Sequence, residues 1–269
     1  MENSISTMAN IKKDEIITEV VETGSDITGS IGGAVIGTLI AGPVGSIVGG
    51  VSGVIVTKLF KKIGAEIKER VLTSREEIRI GAVYTFALNK ISQNENIGKT
   101  VRTDNFFSSR KNDRPYSEEI LEGIVLTAQR EYEERKIKFL GNLYGNICTN
   151  ESIDSDQANQ LIKITNTLTF RQFSILALYY EKQEKLANGK EKNKSLEQRN
   201  KTPFDIVSEV KDLNQKGLLH TNTTYVNIDG FSLDSFNITS GGKFYYHFLE
   251  LNQIEKIELE KLNLLVQIV

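Results

Sequence analysis

The sequence predicts a mostly α-helical protein with a glycine-zipper apolar helical hairpin, a helical body and a small winged-helix-like α+β module at the C-terminal end. Three observations indicate this fold class. Small residues recur at every fourth position of an uncharged stretch, residues 27–57. Apolar residues then follow at the spacing of a helix face through most of residues 59–187. Residues 202–269 show a helix, a weakly alternating stretch and another helix, which is the outline of a winged-helix module.

Residues 1–26 are predicted to form an acidic amphipathic segment. Isoleucines and valines between Ile11 and Val21 have helical spacing, and Gly24 follows them. The acidic charge of this segment argues against binding to anionic lipid, so we expect it to serve as a cap or a tail.

Residues 27–60 are predicted to be a membrane-active segment. Small residues four positions apart form a ridge that lets helices approach closely, whereas in water each glycine disfavours a helix by about 1 kcal/mol. A bilayer core forces backbone groups to bond within the helix, which would offset that preference. The ridge consists of Gly29, Gly33, Gly37, Ala41, Gly45, Gly49 and Gly53.

As a single helix this stretch would be about 46 Å long, against a hydrocarbon core of about 30 Å. Gly42 and Pro43 are therefore predicted to break it into two limbs, Gly29–Ala41 and Pro43–Thr57. One long kinked transmembrane helix is the other possibility. A flexible linker fits poorly because the stretch is rich in β-branched residues, but a buried hairpin in a soluble protein is a serious alternative.

The flanks of the glycine-rich segment carry opposite charge. Acidic residues predominate before it, and lysines follow it directly. Lys58, Lys61 and Lys62 are predicted to contact lipid headgroups. A single span would keep the C-terminal body in the cytoplasm by the positive-inside rule, whereas a hairpin would keep both ends there.

Residues 61–187 are predicted to form the helical body. Its first helix runs from Leu59 to about Lys90, and a polar loop follows between Asn94 and Pro115. A long helix capped by Ser117 continues to Ile147. Two further helices begin at Asp154 or Ser155 and at Thr169.

The loop contains one motif that resembles a phosphate-binding sequence. Gly98-Lys99-Thr100 matches the end of such a loop, but the motif requires a glycine where the chain has Gln93. No strong strand pattern precedes it either, so no nucleotide site is predicted.

Residues 188–201 are predicted to be a linker, and residues 202–269 the winged-helix-like module with a C-terminal helix. Pro203 begins a helix that Gly217 ends, a hairpin is indicated for residues 218–238, and Ser240 caps the next helix. Acidic residues outnumber basic ones from residue 196 onward. Binding to nucleic acid needs cations on one face, so a protein partner is predicted and no nucleic acid.

No pattern in the 269 residues indicates catalysis. The single cysteine, Cys148, excludes an intramolecular disulfide and is expected to be buried. The two histidines, His220 and His247, have no cysteine or carboxylate at metal-ligand spacing. The chain is therefore predicted to be no enzyme and to need neither a metal nor a cofactor.

Residues 134–245 contain a recurring pattern of apolar, asparagine, threonine and glycine positions. It consists of Leu143, Asn146, Ile147, Leu168 and Thr169, and then of Leu213, Gly217-Leu218-Leu219 and Ile238-Thr239 followed by Gly241. In this pattern the chain resembles bacterial proteins related to the Abi-alpha group, which are associated with abortive phage infection. The similarity covers roughly half of the chain and excludes the glycine-rich segment. The resemblance implies a role in defence and assigns no catalytic residue.

These observations predict a bacterial anti-phage effector that causes abortive infection as a pore-forming toxin. We expect it to be cytoplasmic at rest, to form homo-oligomers on sensing infection and to permeabilise the bacterial cell membrane. The trigger is predicted to be a phage protein, such as a ring-forming structural protein, read by the C-terminal half. The alternative is a cytoplasmic scaffold or regulatory protein in which the glycine-rich hairpin is part of the core.

Overall fold

The computed structural model describes residues 50–68, 70–111, 113–187, 203–221, 233–266 and 268. These residues form nine α-helices and one two-stranded antiparallel sheet, which confirms the prediction of a mostly helical protein with a small β element. The chain divides into two compact units, Met1–Asn166 and Thr167–Val269.

Most of the glycine-rich segment lies outside the described residues, as do the acidic segment 1–26 and the linker 188–201. The same holds for the small residues Gly29, Gly33, Gly37, Ala41, Gly45 and Gly49 and for the predicted break at Gly42 and Pro43.

The described residues of the first unit form five helices: α1 (Gly50–Lys68), α2 (Ser74–Asn96), α3 (Tyr116–Arg130), α4 (Ile137–Cys148) and α5 (Ser155–Thr167), the last ending at the division. Apolar faces of α1 to α4 form its core. The predicted loop before Pro115 is confirmed and contains one 3-10 turn, Asn105–Phe107.

The single helix predicted from Leu59 to Lys90 is in fact two helices, α1 and α2. Thr73 begins α2 with a capping box, in which its hydroxyl accepts from the Glu76 amide and the Glu76 carboxylate accepts from the Thr73 amide at 2.8 Å. This arrangement satisfies amides at the start of a helix and so fixes a new helix start. The sequence signal, a threonine followed by a glutamate three residues later, was present but overlooked.

The prediction of one long helix from Ser117 to Ile147 is also wrong. Helix α3 ends at Arg130, and α4 begins at Ile137 after a 3-10 turn. Glu131 has extended backbone (ψ 118°), and its buried carboxylate pairs with the buried ammonium of Lys136. Two buried opposite charges stabilise the break because each would be costly to bury alone. Ser117 lies inside α3, whose N-cap is Pro115.

No helix in the described part of the chain is long and apolar enough to cross a membrane. The prediction of a transmembrane helix is therefore wrong for these residues. Helix α1 begins inside the predicted second limb and continues past Thr57 to Lys68. Its later turns carry Lys58, Lys61, Lys62 and Glu66, and each charge at the centre of a span costs about 2.5–3.5 kcal/mol.

The second unit contains α6 (Phe170–Ala187), α7 (Phe204–Gln215), β1 (Leu219–Thr221), β2 (Phe236–Ile238), α8 (Ser240–Leu249) and α9 (Lys256–Val266). Helix α6 thus belongs to this unit, although the sequence assigned it to the helical body. Leu219 pairs with Ile238 in the sheet, and the connection 222–232 lies outside the described residues.

Side chains cap α6 and α8 of the second unit at or next to the predicted positions. Thr169 and Gln172 form a capping box before α6, with N···O distances of 2.9 and 3.1 Å. Thr239, one residue before the predicted Ser240, caps α8 by accepting from the Gly242 amide at 2.8 Å. Gly217 has φ +73° and follows the end of α7, as predicted.

Candidate functional site: the docked helix α1

Helix α1 has one apolar face buried in the first unit and one exposed face that carries charge. The buried residues recur at helical spacing and are Val56, Leu59, Phe60, Ile63 and Ile67. Lys58 and Lys61 lie exposed on the other side, next to the half-exposed Ile55. The helix is therefore amphipathic, and its apolar face is covered by the body.

An aromatic cluster receives the apolar face of α1. The Phe60 ring lies 4.8 Å from the Tyr84 ring on α2 and 5.7 Å from the Tyr144 ring on α4, measured between centroids. The contacts are tilted or edge-on, the geometries that aromatic rings prefer. Phe60 thus connects α1 with two helices of the core at once.

Two ion pairs link α1 and the turn after it to α3. The Lys62 ammonium donates to both carboxylate oxygens of Glu118 at 2.7 Å, and Arg70 donates to Glu122 at 3.0 Å. Arg114 also pairs with Glu122, and these two arginines lower the pKa of the Glu122 carboxyl, with the Arg114 hydrogen bond the largest cause. The acidic start of α3 therefore binds the basic side of α1.

The hydroxyl of Tyr84 is buried beneath α1 and has no hydrogen-bond partner among the described residues. Burial raises its pKa, and the negative charge of Glu66 on α1 raises it further. The Tyr144 hydroxyl, by contrast, donates to the Ser117 carbonyl at 3.3 Å. A buried phenol without a partner loses the hydrogen bond that water would give it.

Cys148 lies at the end of α4 and is fully buried, as predicted. Burial raises the pKa of its thiol to about 12. The nucleophilic thiolate is therefore scarce at neutral pH. Cys148 is suited to packing, and the geometry gives it no chemical role.

Close packing between α2 and α4 supports the aromatic cluster. A Cβ at Gly141 would lie 2.4 Å from Phe86 Cβ and 2.9 Å from the Ala87 amide nitrogen. A Cβ at Gly145 would lie 2.6 Å from Lys90 Cβ. Two glycines four residues apart thus let the helices approach more closely than any side chain allows. In this unit the four-residue spacing of glycines therefore allows close contact between two helices of the body.

The structure places the predicted site residues in different situations. Lys58 and Lys61 are exposed on α1, whereas Lys62, predicted to contact headgroups, pairs with Glu118. Gly53 lies within α1. Sequence reasoning did not single out Glu118. An acidic pair at the start of a helix, in a chain with a lysine-rich flank, was the available signal.

The histidines do not form a metal site in the described part of the chain, where no cluster of three potential ligands exists. His247 lies exposed on α8, edge-on to Tyr180 and Tyr246 at 5.0 and 5.2 Å between ring centroids. Those two tyrosines stack at 3.9 Å.

No protein-family model, characterised protein or solved structure matches the chain. The similarity to the Abi-alpha group consequently stays a prediction, and the functional argument depends on the geometry of α1.

Proposed function

We propose that this chain is a bacterial anti-phage effector that acts at the cell membrane from its surface. One observation carries the proposal: α1 begins within the glycine-rich stretch, continues past it and has a continuous apolar face opposite exposed lysines. A helix of this kind lies in the membrane interface with its apolar face in the acyl boundary and its lysines at anionic headgroups. It needs no membrane-spanning helix.

In the active state, the apolar face of α1 leaves the aromatic cluster and enters the membrane surface. Lys58 and Lys61 then contact headgroups, each contributing about 1 kcal/mol near an anionic surface. The ridge of small residues upstream, in a glycine-zipper arrangement, would bring several copies of the chain together and permeabilise the membrane.

The C-terminal unit is proposed to sense infection through a phage protein. The sequence pattern of a helix, a hairpin and a helix within residues 202–269 supports a winged-helix-like sensor, and the acidic character of these residues favours a protein partner over nucleic acid. A ring-forming phage protein would gather several copies and raise their effective concentration.

Liposome flotation tests the membrane step. Replacing Lys58 and Lys61 with glutamine should weaken binding to anionic vesicles at least tenfold, and high salt should have the same effect on the unaltered protein. Lys256→Gln with Lys261→Gln is the matched control, because these lysines are exposed on α9 in the other unit. Equal loss in both double variants would refute a specific role for α1.

A second candidate is a cytoplasmic scaffold or regulatory protein. The observation that favours it is the complete burial of Val56 and Ile63 against the body, as in any ordinary core. Fractionation of expressing cells separates the two functions. A scaffold stays in the supernatant with and without phage infection, whereas the proposed effector moves to the membrane fraction after infection.

A further inference from the structure

The two ion pairs that align α1 are specific but not strong, and its buried apolar face supplies most of the docking. The Lys62 side chain is 52% exposed and the Arg70 side chain 40% exposed, although their partners Glu118 and Glu122 are more buried. Ion pairs with one solvated partner contribute little to stability, since water competes for the charges. The pairs nevertheless set the position of α1. If the charge of one partner were reversed, the two side chains would carry the same sign and would repel each other.

Docking of α1 also buries a hydroxyl group that makes no hydrogen bond among the described residues. The Tyr84 hydroxyl has no partner in the described structure while α1 covers it, and Glu66 on α1 is among the charges that act on it. Departure of α1 would open this hydroxyl to water and restore its hydrogen bonds. The docked state therefore carries a polar penalty that the undocked state does not.

The chain between α1 and α2 is built so that α1 can leave without unfolding α2. Val71 is fully exposed and Leu72 is only partly buried, so neither apolar side chain of the described residues 70–73 is fully buried. The capping box of Thr73 and Glu76 satisfies the start of α2 from within α2 itself. Gln129 on α3 donates to Glu76 at 3.0 Å and holds this start against the body.

We propose that α1 is a detachable latch, held on the first unit by its apolar face around Phe60, aligned there by the Lys62–Glu118 and Arg70–Glu122 pairs, and released as one helix. The role of this release rests on the proposed function, because release exposes the apolar face of α1 to the membrane. The docking itself is a property of the first unit and is testable without any membrane.

Hydrogen exchange of the full-length chain tests the latch through the amides of residues 59–67. Lys62→Glu should raise their exchange at least tenfold, because Glu118 then repels α1. Lys61→Glu, one position away and exposed, should change it less than twofold. Combining Lys62→Glu with Glu118→Lys should bring exchange back to within threefold of the unaltered protein. Equal effects at positions 61 and 62, or no recovery in the combination, would overturn the latch.

Tyr84→Phe provides a second variant that removes no contact of α1. Deleting the unpartnered hydroxyl should slow exchange of residues 59–67 at least threefold. Exchange within α4, residues 137–148, reports whether the body stays intact in each variant. If the charge variants also raise exchange in α4, the test of the latch depends on Tyr84→Phe alone. Unchanged or faster exchange of residues 59–67 in Tyr84→Phe would then overturn the proposal.

Glu118→Lys breaks the same pair without changing the charge of α1. Hydrogen exchange and liposome flotation of this variant distinguish the latch from the function it serves. Faster exchange with stronger vesicle binding supports both. Faster exchange without any vesicle binding keeps the latch and refutes the membrane function. Unchanged exchange refutes the latch, whatever the vesicles show.

Discussion

Gly141 determines how closely α4 approaches α2, and the contact leaves no space for a methyl group. We expect Gly141→Ala to lower the free energy of unfolding by roughly 1–3 kcal/mol, because the new Cβ meets backbone at Ala87, which moves only with its helix. Gly123→Ala is the matched control, since its Cβ would lie 3.5 Å from the Ile162 Cδ1 atom. That control should be neutral or stabilise by up to about 1 kcal/mol. Urea unfolding measures both, and equal losses would contradict the close approach.

Glu76 gives the protein a defined acid sensitivity. Hydrogen bonds from the Thr73 amide, Gln129 and the Thr73 hydroxyl lower the pKa of its carboxyl from 4.5 to about 2. A depressed pKa means that the carboxylate stabilises the fold above pH 4.5 and that this contribution is lost as the pH falls toward 2.

We expect Glu76→Gln to reduce the dependence of the unfolding midpoint on pH within this window. At pH 7 the unaltered protein should be the more stable of the two, and the difference should shrink on acidification. Thermal unfolding between pH 7 and pH 2.5 measures it. Parallel curves for the two proteins would show that Glu76 does not contribute in this way.

At the scale of elements, the break between α3 and α4 depends on the buried pair of Glu131 and Lys136. Lys136→Met should lower the free energy of unfolding by about 3–5 kcal/mol, because it leaves the Glu131 carboxylate buried without its cation. Lys216→Met removes a partly exposed ion pair with Asp212 and should cost less than about 1 kcal/mol. Chemical unfolding compares the two, and similar losses would contradict the importance of burial.

The sequence predicted helix starts well where the cap is local. The starts of α5, α6 and α7 follow from Asp154, Thr169 and Pro203 because their signals lie within three residues of the helix. It failed at the break after α3, where no glycine or proline stands between Arg130 and Ile137. Burial of Glu131 and Lys136 depends on helices distant in the chain, and periodicity contains no such information.

Of the candidate site, only the exposed lysines of α1 could be predicted from the sequence. The lysines after residue 57 stand out in the sequence, but nothing local pairs Lys62 with a carboxylate 56 positions further on. The same limit applies to glycines. Spacing by four predicts close helix contact for Gly141 and Gly145 just as it does upstream, and the pattern does not distinguish packing in a body from packing in lipid.

At the scale of the molecule, two compact units predict two unfolding transitions. A Cβ at Gly242 would lie 2.1 Å from the Leu218 carbonyl oxygen, so Gly242→Ala should shift the transition of the second unit to lower temperature. Gly141→Ala should shift the other. Gly241→Ala is the neighbouring control, with its nearest contact at 3.6 Å. Calorimetry records both transitions, and a single transition moved by either variant would show that the units unfold together.

The position of α1 in the chain has a consequence for synthesis. The ribosome completes α1 at Lys68, whereas Glu118 and Tyr144, which receive it, are made later. At about 5–20 residues per second, the apolar face of each new copy waits roughly 4–15 s for its docking surface. During that interval every nascent chain presents a basic amphipathic helix to the cytoplasm. Chaperones that bind nascent chains would therefore be the first partners this protein meets.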